Sequence, residues 1–195
     1  MLPQHIAEKF YRTIKGDITI EDFEQWLYAD KEIERLLSPD DYLELIALNF
    51  KKSGAKYELW NLLKKQIDLG EYETYKLVEL LTEAKKNTDR LPYILMEFYG
   101  LYCRGYGFLQ ELGLNYGLSV EAPTIPNSTA DTWEELTIEQ QQELLNSFWP
   151  ELEKEVDRVV DWLVSDKIIL TGEKDYIGDY IYNDLRTQKE RGHGY

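Results

Sequence analysis

The sequence predicts a mainly α protein, a multi-helix bundle-like domain with a small C-terminal β-hairpin. Apolar residues recur at helical spacing over most of the chain, and helix start and stop signals bracket these runs. A short β-branched segment appears only near the end of the sequence. The 195 residues, 13% of them aromatic, can build a core without disulfides or metals, whereas disordered acidic chains are poor in aromatics.

Capping signals mark where the N-terminal helices begin. Thr19 with Asp22 is a variant of the capping box, and Ser38 precedes a proline and two carboxylates, which suits a helix start. We expect the helix after Ser38 to bury Leu43 and its stretch to end at Gly54. The other helices of this half contain apolar residues at helical spacing, and the residues predicted to end them are Gly16, Gly70 and Asn87.

Residues 91–118 form the most apolar part of the chain, which predicts a central helix buried on most sides and interrupted by glycines. Residues 119–136 contain prolines and polar residues and predict a loop. Thr137 with Gln140 resembles a capping box and begins a helix that Pro150 restarts or kinks. The helical stripe around and after this proline consists of Phe148, Leu152, Val156, Val159 and Leu163.

The segment 167–185 mixes β-branched and aromatic residues around Gly172, and it predicts a β-hairpin. A helix is the alternative, because Ile177, Ile181 and Leu185 are also spaced by four. Gly178 inside the run weakens that alternative.

A single domain over residues 1–195 is the simplest organisation. The alternative has two sub-lobes, a helical one at 1–118 and an acidic helix plus hairpin at 137–185, joined by the loop 119–136. Residues 187–195 are polar and predict a flexible tail.

The composition argues against several classes of function. The 37 acidic residues against 22 basic ones give a net charge of -15, which opposes binding to nucleic acid or to anionic lipid. No apolar run is long enough to span a membrane, and the N-terminus lacks the pattern of a signal peptide. We therefore expect a cytoplasmic protein with no nucleic-acid or membrane partner and, if it has a partner, a basic protein.

The acidic residues are concentrated in the C-terminal third. Residues 1–90 contain 18 acidic and 14 basic residues, whereas residues 121–184 contain 16 acidic and 4 basic ones, a net charge of -12. On the predicted helices, four pairs of carboxylates lie four residues apart, and each pair costs roughly 0.2–0.5 kcal/mol. A surface that keeps such repulsion suggests recognition of a basic partner, and solubility is the alternative explanation.

Residues that could carry chemistry are few. His5 and His193 are the only histidines and lie near the two ends, and nothing singles out a pair of carboxylates. Cys103, beside Arg104, is expected to be a buried structural cysteine. Asn127-Ser128-Thr129 matches a glycosylation acceptor, a match without weight in a chain with no secretion signal. We expect no enzymatic activity, no metal and no cofactor.

An aromatic cluster lies in the apolar segment. It predicts core packing, or alternatively an aromatic binding patch or ligand groove. Its members are Tyr93, Phe98, Tyr99, Tyr102, Tyr106 and Phe108. Tyr99, Tyr102 and Tyr106 fall on one helical face.

Three stretches carry a resemblance: residues 20–28 (IEDFEQWLY), 42–50 (YLELIALNF) and 97–109 (EFYGLYCRGYGFL). Together they resemble uncharacterised bacterial helical proteins that accompany secreted polymorphic toxins as immunity partners. The resemblance covers about the first 118 residues and implies a small cytoplasmic protein that binds and blocks one cognate toxin. Acidic immunity proteins suit basic nuclease toxins, which agrees with the charge of this chain.

The leading hypothesis is therefore a non-enzymatic immunity or inhibitor protein that docks its acidic C-terminal third onto a basic toxin and occludes it. The alternatives are a structural or regulatory homodimer formed through residues 91–118, and an enzyme that uses carboxylates with a divalent metal. The candidate rim of the docking surface is Glu139, Glu143, Glu151, Glu155, Asp157 and Asp161. Trp149 or Trp162 would serve as an aromatic anchor if exposed.

Overall fold

The computed structural model describes residues 2–126 and 129–192, and it confirms a mainly α fold with a C-terminal β-hairpin. This part of the chain contains ten α-helices and one two-stranded antiparallel sheet. The chain divides into two compact units, Met1–Tyr72 and Glu73–Tyr195. The division falls within a helix, not at the loop 119–136 that the sequence suggested as a joint between sub-lobes.

The first unit consists of short helices begun by local capping. They are α1 (Gln4–Lys15), α2 (Ile20–Ala29), α3 (Lys31–Leu36), α4 (Pro39–Ile46), α5 (Ala55–Lys64) and the start of α6 (Leu69–Ala84). As predicted, Thr19 Oγ1 accepts a hydrogen bond from the Asp22 amide at 3.0 Å, and Ser38 Oγ accepts one from the Asp41 amide at 3.1 Å. Gly16 ends α1 in the left-handed conformation.

The face that α4 buries differs from the prediction. Leu45 is buried, whereas Leu43 is 57% exposed. The helix is only two turns long and ends at Ile46, so the apolar residues beyond it gave a misleading periodicity. Gly54 does not end this stretch but precedes α5 with a φ of 89°, and Gly70 lies in the first turn of α6. A glycine near a helix therefore indicates a helix boundary, but it does not show whether one helix ends there or the next one begins.

The second unit packs around one apolar core. After the remainder of α6 come α7 (Leu91–Cys103), a 3₁₀ turn (Gly107–Leu109), a π-helical segment (Leu112–Gly117), α8 (Leu118–Glu121), a second 3₁₀ turn (Trp133–Glu135), α9 (Ile138–Ser147), α10 (Glu151–Val164), β1 (Ile168–Lys174) and β2 (Tyr180–Asp184). Asn87 adopts the left-handed conformation after α6, as expected of a helix C-cap. The five residues of the predicted stripe are all buried, although Phe148 follows the end of α9 and the other four lie on α10.

Close backbone packing joins the π-helical segment to α7. A Cβ atom at Gly117 would lie 2.3 Å from the carbonyl oxygen of Leu95, and one at Gly113 would lie 2.9 Å from Cβ of Tyr102. The two glycines are four residues apart and so allow the segment to rest directly on the helix. The predicted central helix of this region thus ends at Cys103, and the glycines after it serve packing.

The C-terminal segment is a hairpin, so the helical alternative is wrong. Strands β1 and β2 pair antiparallel, with Ile168 opposite Asp184 and Leu170 opposite Tyr182. The register shifts between Leu170 and Lys174, which lets β1 continue through Gly172. The turn between the strands spans residues 175–179.

Part of the predicted flexible tail is hydrogen-bonded. The Thr187 amide donates to a carboxylate oxygen of Glu190 at 2.9 Å, and Arg191 Nη2 donates to the carbonyl oxygen of Asp184 at 2.7 Å. Residues 187–191 therefore form a turn held against β2. Residues 193–195, and Asn127 and Ser128 of the glycosylation match, lie outside the described residues.

Candidate functional site

Helix α9 presents two of the predicted rim residues to solvent. The capping box forms in full, since Thr137 Oγ1 accepts from the Gln140 amide and Gln140 Oε1 accepts from the Thr137 amide. Gln141 Nε2 also donates to the carbonyl oxygen of Trp133 at 2.9 Å, which fixes the side of the helix that faces the core. Glu139 and Glu143 are exposed, and no ion pair among residues 2–126 and 129–192 involves either.

Helix α10 carries the other rim residues outside its buried stripe. Glu151, Asp157 and Asp161 are exposed, while Glu155 is half-buried. Burial raises the pKa of Glu155 above its ordinary value, and the Arg158 guanidinium opposes that rise. We define the acidic surface as Glu139 and Glu143 of α9 together with Glu151, Glu155, Asp157 and Asp161 of α10.

Basic side chains lie next to the four rim carboxylates on α10. Within the helix, Lys154 Nζ lies 2.6 Å from Glu151, and Arg158 pairs with Glu155. From outside it, Nζ of Lys85, the residue that follows α6, lies 2.6 Å from Asp157, and Lys167 Nζ lies 3.0 Å from Asp161. The repulsion predicted from spacing is thus partly relieved, and the unrelieved pair is Glu139 with Glu143.

These ion pairs reduce the local charge without removing it. The carboxylates hold the pKa of Lys85 and of Lys167 above the ordinary value, through hydrogen bonds to Asp157 and to Glu190 first. Exposed pairs of this kind contribute little to stability. The six carboxylates of the acidic surface still outnumber these four basic partners, and residues 121–184 as a whole carry a net charge of -12.

Neither tryptophan is a free aromatic anchor. Trp162 is 4% exposed and belongs to the core, so the condition of exposure on which its anchor role depended is not met. Its ring lies between two guanidiniums, with Cζ of Arg186 at 4.3 Å and Cζ of Arg158 at 5.1 Å from the ring centroid. Trp149 is half-buried against the same core, and its Nε1 atom is buried without a hydrogen-bond partner in the described residues.

The ion pair of Asp184 with Arg186 connects this part of the core to the hairpin. Arg186 Nε donates to Oδ1 at 3.0 Å and Nη2 donates to Oδ2 at 2.9 Å, a two-pronged geometry. The hydrogen bond from Arg186 holds the pKa of Asp184 below its ordinary value. The pair therefore stabilises the fold at neutral pH.

Asp184→Asn is expected to lower the free energy of unfolding by about 2 kcal/mol at pH 7, because a charged hydrogen-bonded acceptor is lost. Since the pKa is depressed in the folded state, the contribution is present above the unfolded value and is lost as the pH falls through the folded value. The difference from the wild-type protein should shrink as the pH falls below 3.8. Urea unfolding at a series of pH values measures it. Glu173→Gln is the matched control, and an equal loss at pH 7 and at acid pH would contradict the assignment.

The residues that could carry chemistry lie apart from one another. Among the described residues no group of three His, Cys, Asp or Glu side chains is arranged to hold a metal ion. Exposed His5 contacts Glu32 at 3.2 Å, and His193 is one of the residues not described. Cys103 is exposed at the end of α7, so its predicted burial is wrong, because the last turn of this helix directs it away from the core.

The aromatic cluster of the 91–109 region is mainly core. Tyr106 lies beyond the end of α7, not on a helical face with Tyr99 and Tyr102, and stacks on Tyr180 with ring centroids 4.7 Å apart. Phe108 meets Tyr182 edge-on at 5.0 Å. These rings attach the hairpin to the end of α7. Among the apolar residues of the segment 91–118, Tyr93 and Cys103 are exposed and the others are buried or partly buried. The segment therefore offers mainly partly buried apolar side chains to the homodimer that was the alternative.

The hairpin exposes apolar side chains that were not predicted from the sequence. Tyr176 is 97% exposed and Ile177 is 66% exposed, both in the turn between the strands. Leu185, just after β2, is 63% exposed. The sequence does contain a signal for this exposure. Alternate residues of a two-stranded sheet face opposite sides, and this sheet has apolar residues at both odd and even positions, so apolar side chains lie on both of its faces.

Comparison with protein-family models, with curated proteins and with solved structures returns no match. Within the part of the chain that the structure describes, no helix combines the length and apolar character needed to cross a membrane.

Proposed function

We propose that this chain is a non-enzymatic binding protein of the immunity or inhibitor type, which neutralises a basic bacterial toxin, such as a nuclease, by covering its functional site. The observation that carries the proposal is the acidic surface. Its carboxylates lie on α9, which begins at a capping box, and on α10, which packs into the core. Glu139 and Glu143 form no ion pair among the described residues. Recognition of a basic protein uses a surface of this sign.

The rigidity of the helices supports this proposal. Helix α9 begins at a complete capping box, and α10 packs its buried stripe into the core. A surface that is already ordered loses little conformational entropy on binding, so a larger share of the interaction energy appears as affinity. The negative potential would also steer a basic partner toward the complex before contact.

Charge steering predicts a strong salt dependence of association. The Debye length is about 10 Å at 0.1 M salt and about 3 Å at 1 M. We expect the association rate with the cognate partner to fall at least about ten-fold between 0.05 and 0.5 M NaCl, with a smaller change in the dissociation rate. Stopped-flow mixing at several salt concentrations measures both. The variant Glu139→Gln/Glu143→Gln should flatten this dependence, and an association rate insensitive to salt would contradict steering.

The function itself is tested with the proteins encoded by the genes adjacent to the gene for this chain. Each is purified, measured for binding to the full chain by calorimetry, and expressed in a bacterial host with and without the chain. We expect one of them to be basic, to bind with a 1:1 stoichiometry and to arrest growth unless the chain is co-expressed. If none binds, or if the one that binds is acidic or does not impair growth, the proposal is wrong.

A further inference from the structure

The hairpin exposes apolar residues on one side and at its tip. We define the hairpin surface as Ile169, Tyr176, Ile177, Ile181 and Leu185, all of which are exposed. Single exposed apolar residues are ordinary, but several on one small element mark an interaction site more often. Tyr176 is 97% exposed, which is unusual for a ring that gains from burial.

The strand register places the apolar residues of the strands on one face. Ile168 and Leu170 are buried in the core, so Ile169 between them points to the other side of the sheet. Ile169 lies opposite Asn183, and Leu185 donates its amide to the carbonyl oxygen of Lys167. The outer face therefore continues from the end of α10 along both strands.

The tip is held in a fixed shape. Asp175 Oδ1 accepts hydrogen bonds from the amides of Ile177 and Asp179, both at 2.9 Å, and Gly178 supplies a positive φ of 95°. At the base of the turn the Tyr180 amide donates to the carbonyl oxygen of Arg104 at 2.8 Å. Tyr176 and Ile177 are therefore presented on an ordered loop, which lowers the entropic cost of burying them against a partner.

The charges around the hairpin surface indicate the kind of partner. Asp166, Glu173 and Asp179 flank it, and no ion pair within the described ranges involves any of the three. Of the two lysines of the hairpin, Lys167 is paired with Asp161 and Glu190, whereas Lys174 lies over the Tyr180 ring at 4.5 Å and keeps its charge. The charge of the whole chain is therefore what favours a basic partner: a second copy with a net charge of -15 would be repelled, and a basic protein would be attracted.

We propose that the hairpin surface supplies the apolar anchors for the basic protein partner, with Tyr176 and Ile177 as the central pair. The inference rests on the proposed function. It assigns to the hairpin the anchoring role that Trp149 and Trp162 do not fill. The acidic surface then governs the rate of encounter, and the hairpin surface governs the lifetime of the complex.

The test compares Tyr176→Ser/Ile177→Ser with Tyr57→Ser, a control at a 70% exposed tyrosine of α5. The probe is the adjacent-gene protein that satisfies the growth test above, and binding is followed by surface plasmon resonance. We expect the tip variant to raise Kd about 30-fold or more, mainly through faster dissociation, and the control to change it less than two-fold. Circular dichroism melting of both variants should match the wild-type protein, because neither site is buried.

Each remaining outcome is decisive. If the wild-type chain binds the partner and the tip variant binds it equally well, the hairpin proposal is overturned while the proposed function stands. If no basic adjacent-gene protein binds the wild-type chain, both are overturned. Sedimentation equilibrium of the chain alone tests whether a second copy occupies the hairpin surface. A dimer that the tip substitutions dissociate would assign the surface to a second copy and overturn the proposal.

Discussion

Gly117→Ala should lower the free energy of unfolding of the second unit by about 3 kcal/mol. The new Cβ atom would lie 2.3 Å from the carbonyl oxygen of Leu95 and 2.8 Å from Cβ of Tyr99, and real Cβ atoms do not approach so closely. The first of these neighbours is backbone and cannot rotate away, so the π-helical segment must move off α7. Overpacking of this kind typically costs about 1–3 kcal/mol, and a clash with backbone belongs at the upper end. Urea unfolding followed by circular dichroism measures the change.

Gly100→Ala is the matched control. Gly100 also has helical backbone, but a Cβ there would meet only the Arg104 guanidinium, at 3.8 Å. Alanine is favoured over glycine inside a helix by about 0.5–1 kcal/mol, so this substitution should leave the stability unchanged or raise it. Two glycine-to-alanine changes in neighbouring elements should therefore have opposite effects. Equal small effects would show that the segment does not rest on α7 as described.

Trp162→Ala is expected to lower the free energy of unfolding by about 4 kcal/mol. The side chain is 4% exposed within the core, and removal of a buried aromatic ring leaves a cavity that usually costs about 3–5 kcal/mol. The guanidiniums of Arg158 and Arg186 would also lose the ring on which they rest. Circular dichroism is the appropriate measurement, because the substitution removes one of the five tryptophans that report by fluorescence.

Trp162→Phe distinguishes the core role from the anchor role expected from the sequence. A phenylalanine keeps an aromatic ring between the two guanidiniums and should recover at least half of the lost stability. A residue that only touched a partner would show no loss of stability in either variant. A Trp162→Ala protein as stable as the wild type would therefore contradict the burial of Trp162 in the core.

Local signals predicted the helices of the second unit well. The buried stripe of α10 and the capping box of Thr137 with Gln140 depend on residues three or four positions apart, a distance over which sequence and structure correspond directly. The same reasoning failed at α4, where Leu45 and not Leu43 is buried. A two-turn helix contains too few apolar residues to define a face, so the packing of its neighbours decides which residue turns inward.

The candidate site depended on contacts that spacing does not reveal. The pairing of Lys85 with Asp157 joins residues 72 positions apart, so the helical pattern of α10 could show the repulsion among carboxylates but not its relief. The burial of Trp162 had a local cause, since it lies beside Leu163 on the stripe side of the helix. Tyr176 and Ile177 are exposed because they lie in the turn between the strands. The position of that turn depends on the strand register, which spacing in the sequence does not reveal.

The register shift between Leu170 and Lys174 has a consequence for solubility at high concentration. A short sheet with an unpaired edge strand and an apolar face is a template for strand addition, the first step toward fibrils. The bulge bends and twists β1, and Glu173 and Lys174 place charges at its end, so an incoming strand would find neither a straight ladder nor a neutral edge. The hairpin can thus display apolar side chains while its backbone discourages aggregation.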